Sequence, residues 1–265
     1  MRILEEVQSA ADEARARGMM YAMMAWSWRY PERETVSALR TMLGRCLTPS
    51  AINYFDSNTT SALKLATSAL IHESRDVLRL ETNYSLLFGH AVRGSCPLYE
   101  LEYGQAEIVQ QAGELADIAG FYGAFGLEST QGSMERVDHV AVECEFMSVL
   151  CAKQATGVLS NNSDLVDACY EAQRTFLRDH LARWLPALAA KVVKADYDGI
   201  YGHLARVSSA FLASECRALG ITPGPDYLEL RRVDPNADTE IQCGPAPAEQ
   251  LVPLTMGGLN SASGA

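Results

Sequence analysis

From the N-terminus to about Leu219, apolar residues recur three and four positions apart, and alternating β-branched runs are almost absent. That spacing gathers side chains into one stripe of a helix, whereas a half-buried strand needs a period of two. The chain is therefore expected to be all-α, a single-domain multi-helix bundle over residues 1–220. Five or more packed helices are expected, because each apolar stripe must be covered by another. With 265 residues, 48% of them hydrophobic, the chain can bury a full core.

The first helix is expected to carry Val7, Ala11, Ala14, Met19, Tyr21, Met23, Met24 and Trp26. It should end where Tyr30 precedes Pro31, since a residue before proline is driven out of the α region. A short helix over 32–43 follows, then a polar connection from Pro49 through Asn58, then helical sequence over 60–88 stopped by Gly89. Residues 98–122 read as a further helix, broken by Gly120, Gly123 and Gly126. Asp138 is placed to cap a helix running to about Gly157, a contribution of about 1 kcal/mol. Two more helices, over 165–184 and 200–219, are separated by Pro186 and the polar residues 196–199. Beyond Ile221 lie six of the ten prolines and one aromatic, Tyr227, so 221–265 is expected to be an extended or partly disordered tail.

The net charge of −11 argues against nucleic acid as a partner, because phosphate backbones are bound by clustered Lys and Arg. Two readings of the acidity stay open: solubility alone, or attraction of a basic peptide. Seven cysteines without a Cys-x-x-Cys pair indicate neither a disulfide framework nor a zinc knuckle, and so a reducing compartment. The apolar run Met19 to Trp28 follows Glu5, Glu6, Asp12 and Glu13 and is too short to span a bilayer, which takes about 20 apolar residues. A cytoplasmic protein without stable membrane insertion is expected, as monomer or homodimer.

The chemistry-bearing residues concentrate in two stretches, 96–104 and 136–147, where ionisable groups sit in otherwise core-like sequence. His139 and Glu143 share a helix face, but third and fourth metal ligands are not evident, and no metal or cofactor is assigned. No Gly-x-Ser-x-Gly elbow, phosphate-binding loop or dinucleotide-binding turn occurs. Glu100 and Glu102, two apart, fall on different sides of a helix and make no acid/base couple by themselves. They read either as ligands for something cationic or as a solvated helix start favoured by the dipole.

Several segments, in order, resemble the TorD/DmsD/NarJ-like chaperones of molybdenum-cofactor oxidoreductases. The first helix ends in Trp26-Ser27-Trp28-Arg29-Tyr30-Pro31, and Tyr84-Ser85-Leu86-Leu87-Phe88 is similar to the family's Tyr-x-x-Leu-Phe segment. Pro97-Leu98-Tyr99-Glu100-Leu101-Glu102-Tyr103 resembles its Pro-x-Tyr-Glu-x-x-Tyr junction, with Leu98 where a second proline is common. Asp138-His139-Val140-Ala141-Val142-Glu143-Cys144-Glu145-Phe146-Met147 resembles its Asp-His-Ile-x-x-Glu-Leu-Glu-Phe-Met helix, and His180-Leu181-Ala182-Arg183-Trp184-Leu185-Pro186 its His-Leu-x-x-Trp-x-Pro element. The Leu-Tyr-Glu junction resembles the branch serving exported dehydrogenases and reductases of the dimethylsulfide, ethylbenzene, selenate and chlorate type.

The resemblance implies a non-enzymatic chaperone that binds the apo catalytic subunit of a molybdenum oxidoreductase, assists molybdopterin insertion, and recognises its twin-arginine signal peptide. Two guanidinium groups followed by an apolar stretch call for carboxylates beside an apolar groove. Candidates for the first are Glu100, Glu102, Asp138, Glu143 and Glu145, and for the second Tyr84, Leu87, Phe88, Pro97, Tyr99, Tyr103 and Phe146, with His139 beside the groove. Core packing competes as the role of Tyr84, Leu87 and Phe88. Glu100→Lys is expected to weaken client binding without unfolding the chain, and His139→Ala to impair client maturation more than stability. The alternatives are a helical small-molecule or nucleotide-binding enzyme using Asp138 and His139 as acid and base, and a plain adaptor.

Overall fold

The computed structural model describes residues 2–89, 93–104, 108–128 and 135–231, leaving aside the side chains of residues 2, 3, 108 and 109. Their regular structure is helical: α1 Arg2–Ser27, α2 Arg33–Cys46, α3 Pro49–Ile52, α4 Ser57–Glu73, α5 Val77–Phe88, α6 Ile108–Ala124, α7 Val140–Leu159, α8 Ser163–Phe176, α9 Ala182–Ala195 and α10 Ile200–Leu219. A 3-10 turn, Glu100–Glu102, precedes α6, and a π turn, Leu177–Leu181, joins α8 to α9. Among the described residues β-pairing is limited to isolated bridges. The all-α expectation holds.

α1 is the axial element, and its most extensive partner is α7. The two helices approach closely at Gly18, where an added Cβ would lie 3.1 Å from the Cys151 Cβ. Met20, Tyr21, Met23, Met24 and Trp28 fill the interior from the α1 side, meeting Cys144, Met147 and Leu150 of α7 in one apolar cluster. α10 packs on α4 and α9, closing the other flank.

One polar cluster interrupts this core. The Arg17 guanidinium donates to both Glu215 oxygens, Nε to Oε1 at 2.8 Å and Nη2 to Oε2 at 2.7 Å, and reaches Gln173 Oε1 at 2.7 Å. Tyr21 donates its hydroxyl to Glu215 Oε2 at 3.0 Å, and Gln173 Nε2 donates to Gln154 Oε1 at 3.0 Å. These groups come from α1, α7, α8 and α10, so the ion pair fixes the mutual register of four helices. A buried pair of this kind specifies geometry more than it stabilises, because desolvation offsets much of the attraction.

The helical sequence of 60–88 is divided into two helices, because Asp76 turns its carboxylate onto the Arg79 N–H and starts α5 anew. Three sequence expectations are corrected. Residues 98–104 are not α-helical: Tyr99 and Tyr103 are extended, paired with His139 and Leu230 in antiparallel bridges that override helical spacing. Gly120 and Gly123 lie inside α6, and the chain turns only at Gly126, with φ +73. Glycine costs a helix only about 0.5–1 kcal/mol, which the packing of Ile118 and Tyr122 outweighs. Pro186 lies within α9 rather than ending a helix, since the π turn shifts the register ahead of it. α10 ends at Leu219 with Gly220 in the left-handed region, and residues 221–231 run on as extended chain over the helical body. Residues 232–265 of the expected tail lie outside the described residues.

Arg17→Leu or Glu215→Leu alone leaves a buried charge unpaired and should lower unfolding free energy by about 3–5 kcal/mol, read by chemical denaturation. Replacing both should recover most of the loss. A simple sum of the two single effects would mean the groups are not coupled.

Candidate functional site

At one end of the bundle the segment 93–104 bridges α5, α7 and α9. It is tied to α5 through Cys96 N–H to Leu87 O at 2.9 Å and Gly94 N–H to Phe88 O at 3.2 Å. On the other side Val140 N–H donates to Leu98 O at 2.9 Å, and Glu100 N–H to Asp138 O at 2.9 Å. The start of α7 is thereby stitched to the Pro97-to-Tyr103 junction by backbone hydrogen bonds.

Glu100, on the 3-10 turn, is buried. Its Oε1 accepts from Arg183 Nη2 at 2.5 Å and its Oε2 faces His180 Nδ1 at 3.2 Å, while His180 Nε2 faces the exposed Asp117 at 3.2 Å. Glu143, in the first turn of α7, is fully buried, with Trp184 Nε1 donating to Oε2 at 3.2 Å and Oε1 without a partner among the described residues. Burial, with the Glu100 charge nearby, pushes the Glu143 carboxyl well above its usual range. The π turn explains the convergence: it carries His180 and sets the phase of Arg183 and Trp184 in α9, and such turns recur at functional sites.

Asp138 is also buried, but it is not the cap of α7. Its carboxylate accepts from Arg136 Nε at 2.9 Å and from the Leu101 N–H at 3.2 Å, tying the junction from the side-chain direction. The cap is His139, whose Nδ1 accepts the Ala141 N–H at 3.1 Å. Burial lowers the His139 pKa, favouring the neutral ring that this acceptor role requires. Asp138 and His139 are thus engaged separately, which removes the acid/base pairing considered from sequence. Around them lies a partly exposed rim: Tyr99 donates to Glu135 Oε2 at 2.7 Å, stacks edge-on against His139, and carries Arg136 over its face at 4.6 Å.

The remaining candidates distribute as follows. Tyr103, buried against Trp184, donates its hydroxyl to Pro97 O at 2.9 Å. Glu102 is half-buried and paired with Arg93 at 2.9 Å. Glu145 lies apart, paired with Arg29 just past the end of α1. Tyr84, Leu87 and Phe88 are core: Tyr84 donates to Trp28 O at 3.0 Å and packs edge-on with Phe88 and Tyr201. Phe146 is enclosed by Phe176 and Tyr122. Sequence reasoning passed over His180, Arg183 and Trp184 as site residues, although the His-Leu-x-x-Trp-x-Pro likeness marked His180 and Trp184. Arg136 opened the flagged stretch 136–147 but was not chosen as a site residue, and Glu135 lay outside it.

Among the described residues no group of three or more His, Cys, Asp or Glu is arranged to hold a metal ion. Burial pushes the Cys46 and Cys151 thiols up to about 12, so neither is a nucleophile. No helix of the described residues is long and apolar enough to cross a membrane.

Residues 53–190, about half of the chain, match the nitrate reductase delta subunit family. The match spans the 93–104 junction, the start of α7 and the π turn. The chain belongs to this family. It is 30% identical over 197 residues to a perchlorate reductase assembly chaperone protein of Dechloromonas aromatica (strain RCB), covering 71% of this chain and 83% of that protein. It is 27% identical to a selenate reductase assembly chaperone protein of Thauera selenatis, over 59% of this chain and 79% of that protein. A chaperone protein TorD of Vibrio cholerae serotype O1 (strain ATCC 39315 / El Tor Inaba N16961) is 31% identical over 97 residues, 37% of this chain and 43% of that protein. These relatives are chaperones and assembly proteins, and this nitrate reductase delta subunit family member is a TorD-like maturation chaperone rather than an enzyme.

The buried Glu143 gives a pH signature. Its folded pKa is raised, so the folded state binds the extra proton. The stability this contributes is present below the usual carboxylate range and is lost as pH rises toward the folded value. Glu143→Gln should therefore flatten the fall in melting temperature as pH rises above the usual carboxylate range. An unchanged slope would show that Glu143 does not hold its proton. The Glu100→Lys expectation is revised, since a lysine there would face Arg183 and His180 in a buried position, and unfolding rather than selective loss of binding is expected.

Proposed function

We propose that this chain is a cytoplasmic, system-specific chaperone that holds the apo catalytic subunit of an exported molybdenum oxidoreductase during molybdopterin insertion. The twin-arginine signal peptide of that subunit is part of what it recognises. One observation carries the reading: three separated family-like segments, around Glu100, Asp138 and His180, converge on one buried polar cluster beneath a rim of Tyr99, Glu135 and Arg136. Such a cluster has no reacting constellation, but it rigidly positions a surface. The relatives assemble perchlorate and selenate reductases, which makes a reductase catalytic subunit the matching client class.

The buried carboxylates Glu100, Asp138 and Glu143 shape this surface from below, and the client meets the rim. Exposed ion pairs contribute about 0.2–1 kcal/mol each, against about 25 cal/mol for each Å² of apolar surface covered. Apolar contact therefore sets affinity, and the rim charges set register.

Co-expression with the cognate subunit, followed by capture and reactivation on adding molybdopterin, tests the reading and separates a chaperone from an adaptor. Tyr99→Ala combined with Glu135→Ala, which leaves Arg136 on the buried Asp138, should cut capture at least tenfold, with the melting temperature shifting by only a few degrees. Full capture and reactivation by this variant would place the client surface elsewhere.

A further inference from the structure

After α10 the chain returns as an extended strap, residues 221–231, anchored at two places. The first anchor is created by Pro186. Proline has no N–H for the carbonyl four residues earlier, so Ala182 O is left open inside α9, and Gly224 N–H donates to it at 2.8 Å. A Cβ on Gly224 would come within 2.0 Å of Arg183 O, so only glycine approaches this closely.

The second anchor is an antiparallel pairing with the junction. Tyr103 bridges Leu230, Gly104 N–H donates to Glu229 O at 2.9 Å, and Arg231 N–H donates to Glu102 O at 2.9 Å. Arg231 lays its guanidinium along Glu114, Nη2 to Oε2 at 3.3 Å, beside the Glu102 carboxylate that Arg93 pairs. The fit is incomplete. Arg231 Nε and Nη1 are buried without acceptors among the described residues, although a guanidinium offers five donors. The strap is held mainly at its ends and at Gly224: Ile221, Leu228 and Leu230 pack partly buried against the core and Arg93 Nη1 donates to Arg231 O at 2.5 Å, whereas Pro225, Asp226 and Tyr227 between them are exposed. Segments with few buried contacts open locally without global unfolding.

We propose that the edge formed by Glu102, Tyr103 and Gly104, with Glu114 beside it, is a peptide-binding site for an extended, arginine-bearing segment of the client, and that residues 228–231 are its resident occupant. The proposal rests on the chaperone reading and adds where, and against what competitor, such a segment is taken. Backbone pairing along an edge serves any extended peptide equally, so selectivity falls to the side-chain positions, here a leucine followed by an arginine. In sequence Leu230 is followed by two adjacent arginines, Arg231 and Arg232. A tethered occupant acts at millimolar effective concentration, so it screens out weak peptides and yields to a client already held elsewhere on the chaperone. The chain's net charge of −11 favours a cationic newcomer.

The test uses the full chain and a fluorescein-labelled peptide of its own residues 227–233, read by anisotropy. Arg231→Pro removes both the N–H that donates to Glu102 O and the guanidinium, releasing the strap. The released variant should bind the peptide at least tenfold tighter than the parent chain, and a peptide with both arginines replaced by glutamine should lose that gain. Hydrogen exchange on the parent chain gives a second reading, in which the Gly104 and Arg231 amides exchange together and far faster than those of α10. Equal peptide binding by variant and parent overturns the proposal, as does a Gly104 amide that exchanges only with global unfolding. Capture of the apo catalytic subunit by the parent chain is scored separately, so its persistence alongside either negative result removes this site and leaves the chaperone reading in place.

Discussion

The architecture of the functional end follows from a single requirement, that a carboxylate taken out of water must be met by donors. Glu100 is buried, and its two oxygens are met by Arg183 of α9 and His180 of the π turn. To bring both onto one carboxylate, the chain between α8 and α9 adopts a π turn, and the new register places Pro186 inside α9. The carbonyl that Pro186 strands is then satisfied by Gly224, which brings the C-terminal strap across the same end of the molecule. One buried charge thus organises a loop, a helix irregularity and the path of the segment after α10.

The Arg17 and Glu215 pair plays the corresponding part in the body of the bundle. Apolar stripes tolerate sliding and rotation, because many packings bury similar area. An ion pair completed by Tyr21 and Gln173 tolerates only one, and it selects the arrangement of α1, α7, α8 and α10. The functional end is therefore built on a frame whose register is set by polar contacts rather than by hydrophobic burial alone.

Two surfaces of different kinds meet at this end of the molecule. The rim at Tyr99, Glu135 and Arg136 is a fixed feature, held from beneath by Asp138 and the His139 cap. The edge at Glu102, Tyr103 and Gly104 is already paired, with a segment of the same chain carrying an arginine against Glu114. Both draw on the short junction 93–104.

Helical class, the extent of α1, the start of α10 and the turn into the tail were legible in the sequence, because each depends on local spacing, prolines or a glycine at a helix end. So was the need of Glu100, Asp138 and His139 for partners, since ionisable residues in core-like sequence demand them wherever they fold. The partners themselves were not legible: His180 and Arg183 lie 80 and 83 residues from Glu100. Nor did spacing reveal that Tyr99 and Tyr103 are extended, that Asp138 yields the cap to its neighbour, or that Pro186 stays within a helix. Local propensities differ by about 1 kcal/mol or less per residue. Leaving a buried charge or a stranded carbonyl unpaired costs more than that, and only the assembled tertiary structure brings the distant partners that prevent it.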